Sequence, residues 1–430
     1  MEREKAVLVG IKLESDSASS NENKYGVEQS IDELAELAFT AGLDVCARVI
    51  QKREYKSSAF LVGRGKVDEI RTICNDSGAG IIIFDDELSG VQSRNMEEAT
   101  GVRVIDRTLL ILDIFAQRAH TSEGKLQVEL AQLKYRLPRL TGLGGQLSRL
   151  GGGIGTRGPG EKKLETDRRH IRRRISFLEN ELKRLGKRRY RLREGRKQND
   201  LPVVVIVGYT NSGKSTLMNT LCGSGVFVED KLFATLDPTT RRLTLPDGRK
   251  VLLVDTVGFI SKLPHDLVEA FKSTLEEVVY ADLLLHLVDA SHSEADDRIP
   301  IVEDILEGLG AAGKPTILVY NKLDLAQGKL ASMPGTKRNG CRITGISALK
   351  GQGLDSLLTA IMESLPVQEV KMDILAPYEE GWVMSYIYDN GKIVSSEYTD
   401  GGIKIKALIP FLKAKKLDHY LIGATSKKTP

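Results

Sequence analysis

The chain has 430 residues, 62 Lys and Arg against 58 Asp and Glu, a formal net charge of +4 and four cysteines. This composition is typical of a multidomain globular protein and excludes a mostly disordered or collagenous chain, while no apolar stretch is long enough to span a bilayer. Scattered cysteines without paired spacing and an N-terminus unlike a signal peptide predict a cytoplasmic protein.

Residues 1–121 are predicted to form an α/β domain with a largely parallel sheet, because short apolar runs alternate with amphipathic ones. A capping box is predicted at Ser30–Glu33, at the start of a helix with Leu34, Leu37 and Ala38 on its apolar face. The acidic run at 85–87 is interpreted as a solvated loop. The remaining predicted elements are strands at 6–13, 43–50, 59–62, 81–84 and 102–105 and a helix at 67–74.

Residues 122–200 are predicted to form an antiparallel helical hairpin. Apolar residues repeat there at coiled-coil spacing on both arms, and nine glycines within 141–163 require a flexible loop at the tip. Residues 161–200 alone carry a net charge of +9, which points to a polyanionic partner. The two seams comprise Leu126, Leu130, Leu133 and Leu137, then Ile171, Ile175, Leu178, Leu182 and Leu185; the loop and its flanks carry Arg139, Arg149, Arg157, Lys162 and Lys163.

Residues 201–366 are predicted to form a second α/β domain, and residues 367–430 a small α+β domain. The run 202–208 reads as a buried strand, and Pro246-Asp247-Gly248 between two alternating runs predicts a hairpin. Further buried strands are expected at 283–289 and 316–321. The fold class is therefore α/β, with two such domains joined by the helical hairpin and a small unit at the end.

A nucleotide-binding loop is predicted directly after the strand 202–208. The run Gly208 to Ser215 matches G-x-x-x-x-G-K-[ST] and precedes a helix that begins near Thr216. Lys214 is expected to neutralise the β- and γ-phosphates and Ser215 to bind Mg²⁺, while backbone N–H groups wrap the phosphates. The phosphate-binding residues expected are Gly208, Tyr209, Thr210, Asn211, Ser212, Gly213, Lys214, Ser215 and Thr216.

Three shorter motifs follow in the order found in GTPases. Asp255-Thr256-Val257-Gly258 resembles D-x-x-G, in which the Asp holds a metal-bound water and the Gly N–H contacts the γ-phosphate. Asn321-Lys322-Leu-Asp324 resembles N-K-x-D, whose Asp accepts hydrogen bonds from guanine N1–H and the 2-amino group; adenine offers neither donor. Ser347-Ala348-Leu349 resembles the S-A-x segment that contacts guanine O6. Together with the phosphate loop, these motifs predict a guanine-specific GTPase.

A switch segment is predicted at 230–241, where a Thr should bind Mg²⁺ and sense the γ-phosphate. Thr235, Thr239 and Thr240 are candidates. Thr235 is favoured because Phe233-Ala234-Thr235-Leu236-Asp237-Pro resembles the switch of translation-associated GTPases, whereas Thr239 and Thr240 are interpreted as turn residues. The catalytic candidates are then Lys214, Thr235 and Gly258, and the metal ligands Ser215, Thr235 and Asp255.

One position departs from many GTPases, because Phe259 follows the D-x-x-G motif where a Gln often orients the attacking water. A phenyl ring cannot do this, so intrinsic hydrolysis is expected to be slow. Another group, either a partner surface or a cation, is needed. Asn211 either helps to bind K⁺ beside the phosphates or only stabilises the loop.

Five further runs narrow the kind of GTPase: Gly63–Ile70, Phe84–Ser89, Arg107–Phe115, Gly151–Glu161 and Phe233–Pro238. Through these runs the chain resembles the HflX family of ribosome-associated GTPases. It implies binding to the large ribosomal subunit and its rRNA, and GTP-dependent dissociation or remodelling of stalled ribosomes. Two alternatives remain: a GTPase for assembly of the large subunit, and a signalling GTPase that acts on protein partners. The free protein is expected to be a monomer.

Overall fold

The structure is a computed structural model that describes most of the chain. The described ranges are 3–14, 26–140, 159–197, 201–223, 232–233, 238–262, 275–292, 295–326, 337–338, 341–365 and 369–422.

The N-terminal part contains a four-stranded sheet in which every pairing is parallel. The strand order is β2-β1-β3-β4. Both central strands are almost fully buried, as expected when helices cover both faces of a parallel sheet. The predicted α/β class is confirmed here. The elements are β1 (Lys5–Leu13), α1 (Val27–Thr40), β2 (Asp44–Arg53), α2 (Arg64–Ser77), β3 (Ile81–Phe84), α3 (Gly90–Thr100), β4 (Arg103–Asp106) and α4 (Arg107–Arg118).

Two local predictions in this part are wrong. The run 59–62 is not a strand but part of a tight turn in which Ser57 and Leu61 pair as an isolated bridge, and Leu61 has a φ of 69°. Helix α1 begins one turn earlier than predicted, with Gly26 and Gln29 at its cap. Ser30 is therefore inside the helix, where its hydroxyl donates a hydrogen bond to Asp85 across the domain.

Two packed helices follow, α5 (Ser122–Arg139) and α6 (Pro159–Lys197). Glu123 at the start of α5 pairs with Arg189 near the end of α6, and Lys134 further along α5 pairs with Glu179. The helices therefore run antiparallel, as predicted. Leu130 and Leu178 are the most buried members of the two predicted seams. Residues 141–158 of the Gly-rich run, with Arg149 and Arg157, lie outside the described residues. The last five residues of the run, 159–163, were expected in the loop but form the start of α6.

The central part contains a seven-stranded mixed sheet with the order β10-β11-β9-β8-β5-β7-β6. Its inner strands are parallel, and the predicted hairpin at 246–248 joins the antiparallel pair β6 and β7. The elements are β5 (Val203–Gly208), α7 (Lys214–Cys222), β6 (Thr239–Thr244), β7 (Lys250–Asp255), β8 (Leu283–Asp289), α8 (Ala295–Gly308), β9 (Thr316–Asn321), β10 (Lys337–Arg338), β11 (Cys341–Gly345) and α9 (Leu354–Ser364).

The C-terminal part is a small α+β unit with an antiparallel sheet in the order β12-β14-β13. One face of this sheet packs on a helix through Ile374, Ile387 and Ile405, which are fully buried. The elements are β12 (Glu369–Ala376), α10 (Gly381–Asn390), β13 (Lys392–Thr399), β14 (Gly402–Pro410), α11 (Phe411–Ala414) and a 3₁₀ turn (Lys415–Tyr420).

One apolar core runs continuously from the N-terminal sheet through the hairpin to the central sheet. Leu34 and Phe115 belong to it from the first part, Val128 from α5, and Val207 and Phe259 from the central part. The two α/β parts therefore share one core and are not independent domains joined by a flexible linker. Within the described residues, no helix combines the length and apolar character needed to cross a bilayer.

Candidate functional site

The predicted phosphate loop connects β5 to α7, with the N-terminus of the helix facing the loop. Asn211 and Gly213 have φ angles of 60° and 90°, so the backbone is in the left-handed region at both residues. A Cβ at Gly213 would lie 2.2 Å from the side-chain nitrogen of Asn321, which leaves room only for glycine. The backbone therefore wraps a concave space at the helix N-terminus, the arrangement that binds phosphate.

Lys214 is buried and lies across this loop. Its ammonium group donates to the carbonyl oxygens of Tyr209 at 2.7 Å and Gly208 at 3.2 Å. Burial lowers the pKa of Lys214 to about 8, although Asp255 opposes this shift. Burial deprives the ammonium group of its hydration. Phosphate oxygens would compensate for this loss by pairing with the positive charge, so the site is suited to a polyanionic ligand.

Ser215 and Asp255 bring two hard oxygen ligands together. The Ser215 hydroxyl donates to the Asp255 carboxylate at 2.6 Å, and Asp255 is completely buried at the end of β7. Mg²⁺ prefers oxygen ligands, and a hydroxyl and a carboxylate at a phosphate loop supply them, so the residues present fit this ion. The neighbouring Thr256 is also buried and donates to the carbonyl of Ile206, which holds the segment against β5.

The predicted base-binding segments meet at the carboxyl ends of β9 and β11. Asn321 is the link, because its amide nitrogen donates to the Ser212 carbonyl and its amide oxygen accepts from the Ala348 N–H, both at 2.9 Å. Lys322 forms an ion pair with Asp289 at 2.7 Å. These contacts tie the phosphate loop to both predicted base-binding segments.

Asp324 is positioned as an acceptor. The Ser347 hydroxyl donates to it at 2.7 Å, and this hydrogen bond holds the pKa of Asp324 below its ordinary value. An ionised carboxylate in this place can accept two hydrogen bonds from a guanine edge. Ala348 is buried beside it, whereas the Leu349 side chain is 78% exposed.

The predicted switch segment is described only in part. Ala234, Thr235, Leu236 and Asp237 lie outside the described residues. Phe233 is buried, and its ring meets that of Phe115 edge to face with centroids 4.6 Å apart. Thr239 and Thr240, predicted to be turn residues, instead begin β6, where Thr239 pairs with Asp255 and Thr240 with Val254. Sequence reasoning missed this because Pro238 precedes them.

Gly258 lies directly against the phosphate loop. A Cβ there would come within 2.8 Å of the Lys214 ammonium nitrogen and of the Thr210 Cα. The next residue, Phe259, pairs with Tyr209 as a parallel bridge, and its ring is only 2% exposed. The ring at the position of the expected Gln is thus part of the shared core, alongside Val257.

Sequence reasoning did not find a buried charge cluster that touches this site from the N-terminal domain. Asp85, expected in a solvated loop, is 3% exposed and forms ion pairs with Arg107 at 2.8 Å and Lys262 at 2.5 Å. Burial alone would raise the pKa of Asp85, but these two cations hold it below its ordinary value. Glu33 pairs with Arg107 and accepts a hydrogen bond from the Tyr209 hydroxyl. The position of Asp85 after a buried strand was the available signal.

Four family models match consecutive stretches of the chain. They are described as GTP-binding GTPase N-terminal (residues 28–116), GTP-binding GTPase Middle Region (118–196), 50S ribosome-binding GTPase (203–322) and HflX C-terminal domain (336–429).

Curated relatives match almost the whole chain. GTPase HflX of Caldanaerobacter subterraneus is 52% identical over 98% of this chain and 95% of its own length. GTPase HflX of Escherichia coli is 40% identical over 96% and 95%. Among solved structures, a GTP-binding protein from Sulfolobus solfataricus in complex with GDP is 27% identical with a TM-score of 0.44, covering 84% of this chain and 98% of that chain.

Proposed function

The chain belongs to the HflX family of GTPases, and we propose that it is a GTP-driven switch that binds the large ribosomal subunit and dissociates or remodels stalled ribosomes. The observation that carries this proposal is the exposed basic surface of α6, a long helix packed through α5 onto the apolar core. The same core contains Phe233 of the predicted switch segment and Phe259, which follows the D-x-x-G motif. A phosphate polyanion such as rRNA gains affinity for such a surface through counterion release.

We give the name basic arm to the exposed cations of α6, other than Arg174 with its Glu129 partner, whose side chains the structure describes. They face solvent between residues 169 and 191, and within this described part of the helix Phe177 is the exposed aromatic side chain. Contacts to the RNA backbone and shape should therefore dominate over base stacking. The basic arm comprises Arg169, Arg172, Arg173, Lys183, Arg184, Lys187, Arg188 and Arg191.

We assign GTP binding to the motif residues described above. Lys214 would hold the β- and γ-phosphates, the Gly258 N–H would contact the γ-phosphate, and Asp324 with Ser347 and Ala348 would select guanine. Thr235 would close over the γ-phosphate from the switch segment. Support comes from the close approach of Gly258 to Lys214 and from the Asn321 amide, which bridges Ser212 and Ala348.

P-loop GTPases generally use Mg²⁺ with GTP, and Ser215 and Asp255 would hold this ion together with Thr235. The ion supplies charge neutralisation on the phosphates. Asn211 is exposed at the crest of the loop, where it would either contribute to a K⁺ site or stabilise the left-handed turn. Hydrolysis rates in KCl and NaCl distinguish these two roles.

The switch would act through the segment around Thr235 and the D-x-x-G segment, which the γ-phosphate would hold in place. Bound GTP would draw Thr235 and Gly258 toward the γ-phosphate and so favour a ribosome-binding conformation. Hydrolysis would release both segments and with them the ribosome.

We also propose that the chain divides into four domains, with bounds at 1–121, 122–200, 201–366 and 367–430. We further propose that the free protein is a cytoplasmic monomer.

The proposal is tested by subunit profiles of 70S ribosomes on sucrose gradients, with the full chain and either a non-hydrolysable GTP analogue or GDP. We expect conversion to free subunits with the analogue and cosedimentation of the protein with the large subunit. Binding restricted to precursor particles would favour a role in assembly instead. Failure to bind any ribosomal particle at low salt would contradict both roles and favour a signalling GTPase.

A further inference from the structure

The N-terminal domain reaches the nucleotide site through a set of side chains that we call the switch anchor: Glu33, Arg107, Tyr209 and Ser261. The Glu33 carboxylate on α1 accepts hydrogen bonds from the hydroxyls of Tyr209 and Ser261 and pairs with Arg107. The Tyr209 hydroxyl in turn accepts from the Ser261 N–H at 2.7 Å. One carboxylate of another domain thus fixes the second residue of the phosphate loop and a residue that follows the D-x-x-G motif.

These contacts are buried and charge-assisted. The side chains of Glu33 and Arg107 are 10% and 3% exposed. Burial and the neighbouring Glu33 raise the pKa of Tyr209, so its hydroxyl keeps its proton and remains the donor to Glu33. A charge-assisted hydrogen bond shielded from water is stronger and better defined in geometry than an exposed one.

A second tie holds the same segment. Lys262 pairs with Asp85, which also accepts hydrogen bonds from Ser30 and Arg107, and Arg107 donates to the Ser261 carbonyl at 3.2 Å. Residues 261 and 262 are therefore fixed to the N-terminal domain through both backbone and side chains. The position of this segment depends on the N-terminal domain and not only on the central sheet.

The anchored segment is three residues away from Gly258. The Thr210 N–H donates to the Phe259 carbonyl at 2.8 Å, and the Phe259 N–H donates to the Gly208 carbonyl at 3.1 Å. A three-residue connection spans at most about 10 Å, and Phe259 within it is hydrogen-bonded to the phosphate loop through both its N–H and its carbonyl. The position of Ser261 therefore constrains the backbone on both sides of Phe259, including Gly258, whose N–H is the group expected to contact the γ-phosphate.

We propose that Glu33 is a positioning residue for GTP hydrolysis, which acts through Tyr209 and Ser261 to set the backbone of Gly258 and Phe259 beside the γ-phosphate. The inference rests on the proposed nucleotide site. Contacts from the N-terminal domain would then do the positioning for which many GTPases use a Gln after the D-x-x-G motif. The N-terminal domain would thereby help to set the rate of hydrolysis.

The test measures single-turnover GTP hydrolysis and the Kd for GTP and GDP on the full chain. The variants are Glu33→Gln, Tyr209→Phe and the double variant. We expect each single variant to lower the hydrolysis rate constant by about tenfold while both Kd values stay within about twofold, because binding contacts remain and only the geometry of the transition state is lost. The double variant should be no slower than the slower single variant, since both changes disrupt the same hydrogen bond between Glu33 and Tyr209.

The matched control is Tyr135→Phe, which removes another tyrosine hydroxyl bonded to a carboxylate, Asp106, away from the nucleotide site. Its hydrolysis rate should equal that of the unmodified protein. If Glu33→Gln does not fold, Tyr209→Phe removes a single oxygen and still tests the proposal.

Three results would overturn the inference: unchanged rates in both single variants, faster hydrolysis, or a parallel loss of rate and nucleotide affinity, which indicates a merely structural role. Lys214→Ala tests the underlying site separately. If that variant keeps its affinity for GTP, the proposed site is wrong, whereas loss of affinity there together with unchanged rates in the Glu33 variant rejects only the positioning role.

Discussion

His286 is a buried ionisable side chain at the centre of the main sheet. It lies in β8, beside Val207 of β5, and is 2% exposed. Burial, together with the nearby Lys214 ammonium, lowers its pKa to about 4. The folded protein therefore keeps this ring neutral at a pH where the unfolded chain would protonate it.

This shift predicts a loss of stability on mild acidification. Between the ordinary pKa of 6.5 and about 4 the unfolded state binds the extra proton, so the free energy of unfolding falls as the pH falls through this window. From pH 7 to pH 5 we expect a loss of about 2 kcal/mol from this group. Urea denaturation at the two pH values measures it, and His286→Gln should remove most of the difference. An equal loss in both proteins would contradict the assignment.

At the scale of the helix, the arginines of α6 have different roles although they are adjacent in sequence. Arg174 is joined to Glu129 of α5 by two hydrogen bonds of 2.7 and 2.9 Å. Arg172 and Arg173 are exposed and project from the same turn. A variant that removes all three would therefore combine a change in hairpin packing with a loss of surface charge.

Replacing only Arg172 and Arg173 with Ala should weaken ribosome binding and leave the GTP affinity unchanged. Loss of two phosphate-neutralising cations should lower the affinity by about tenfold near physiological salt and make binding less dependent on salt. Cosedimentation across a salt series measures both effects. The matched control is Glu129→Gln, which breaks the Arg174 ion pair but keeps every cation. If this control binds as weakly as the double variant, hairpin packing and not charge governs binding.

At the scale of the whole molecule, the shared core makes the stability of the two α/β parts interdependent. Phe115 of α4 packs against Phe233 of the central part, whereas Met96 of α3 belongs to the apolar cluster on the other face of the N-terminal sheet. Phe115 and Met96 are each at most 2% exposed. They therefore form a matched pair for separating local from long-range effects.

Phe115→Ala should cost about 3–5 kcal/mol and Met96→Ala about 2–5 kcal/mol, since each leaves a cavity. Hydrogen exchange by mass spectrometry locates the effect. We expect Phe115→Ala to raise exchange in β5 and β7 as well as in the N-terminal sheet, and Met96→Ala to raise it in the N-terminal sheet alone. Unchanged exchange in β5 and β7 after Phe115→Ala would mean that the two parts are energetically independent.

Much of the fold was predictable because its signals are local. Apolar runs of strand length, the turn at 246–248 and the two heptad seams each depend on residues within a few positions of one another. The two errors have different causes. The run 59–62 is apolar because Leu61 and Val62 are buried in the core of the N-terminal part, which a strand pattern also predicts. The start of α1 is set by a capping pair one turn earlier, at Gly26 and Gln29.

The family resemblance and the positions of the four nucleotide motifs follow from the amino-acid sequence alone, because each motif is a short run with a chemical requirement at every residue. The burial of Asp85 in an ion-pair cluster and the contact of Glu33 with Tyr209, 176 positions away, are visible only in the folded chain. A lone Glu, Arg or Tyr has no spacing that predicts its partner. Such contacts exist only because two domains pack along one apolar core, and the geometry of that packing is a property of the whole chain.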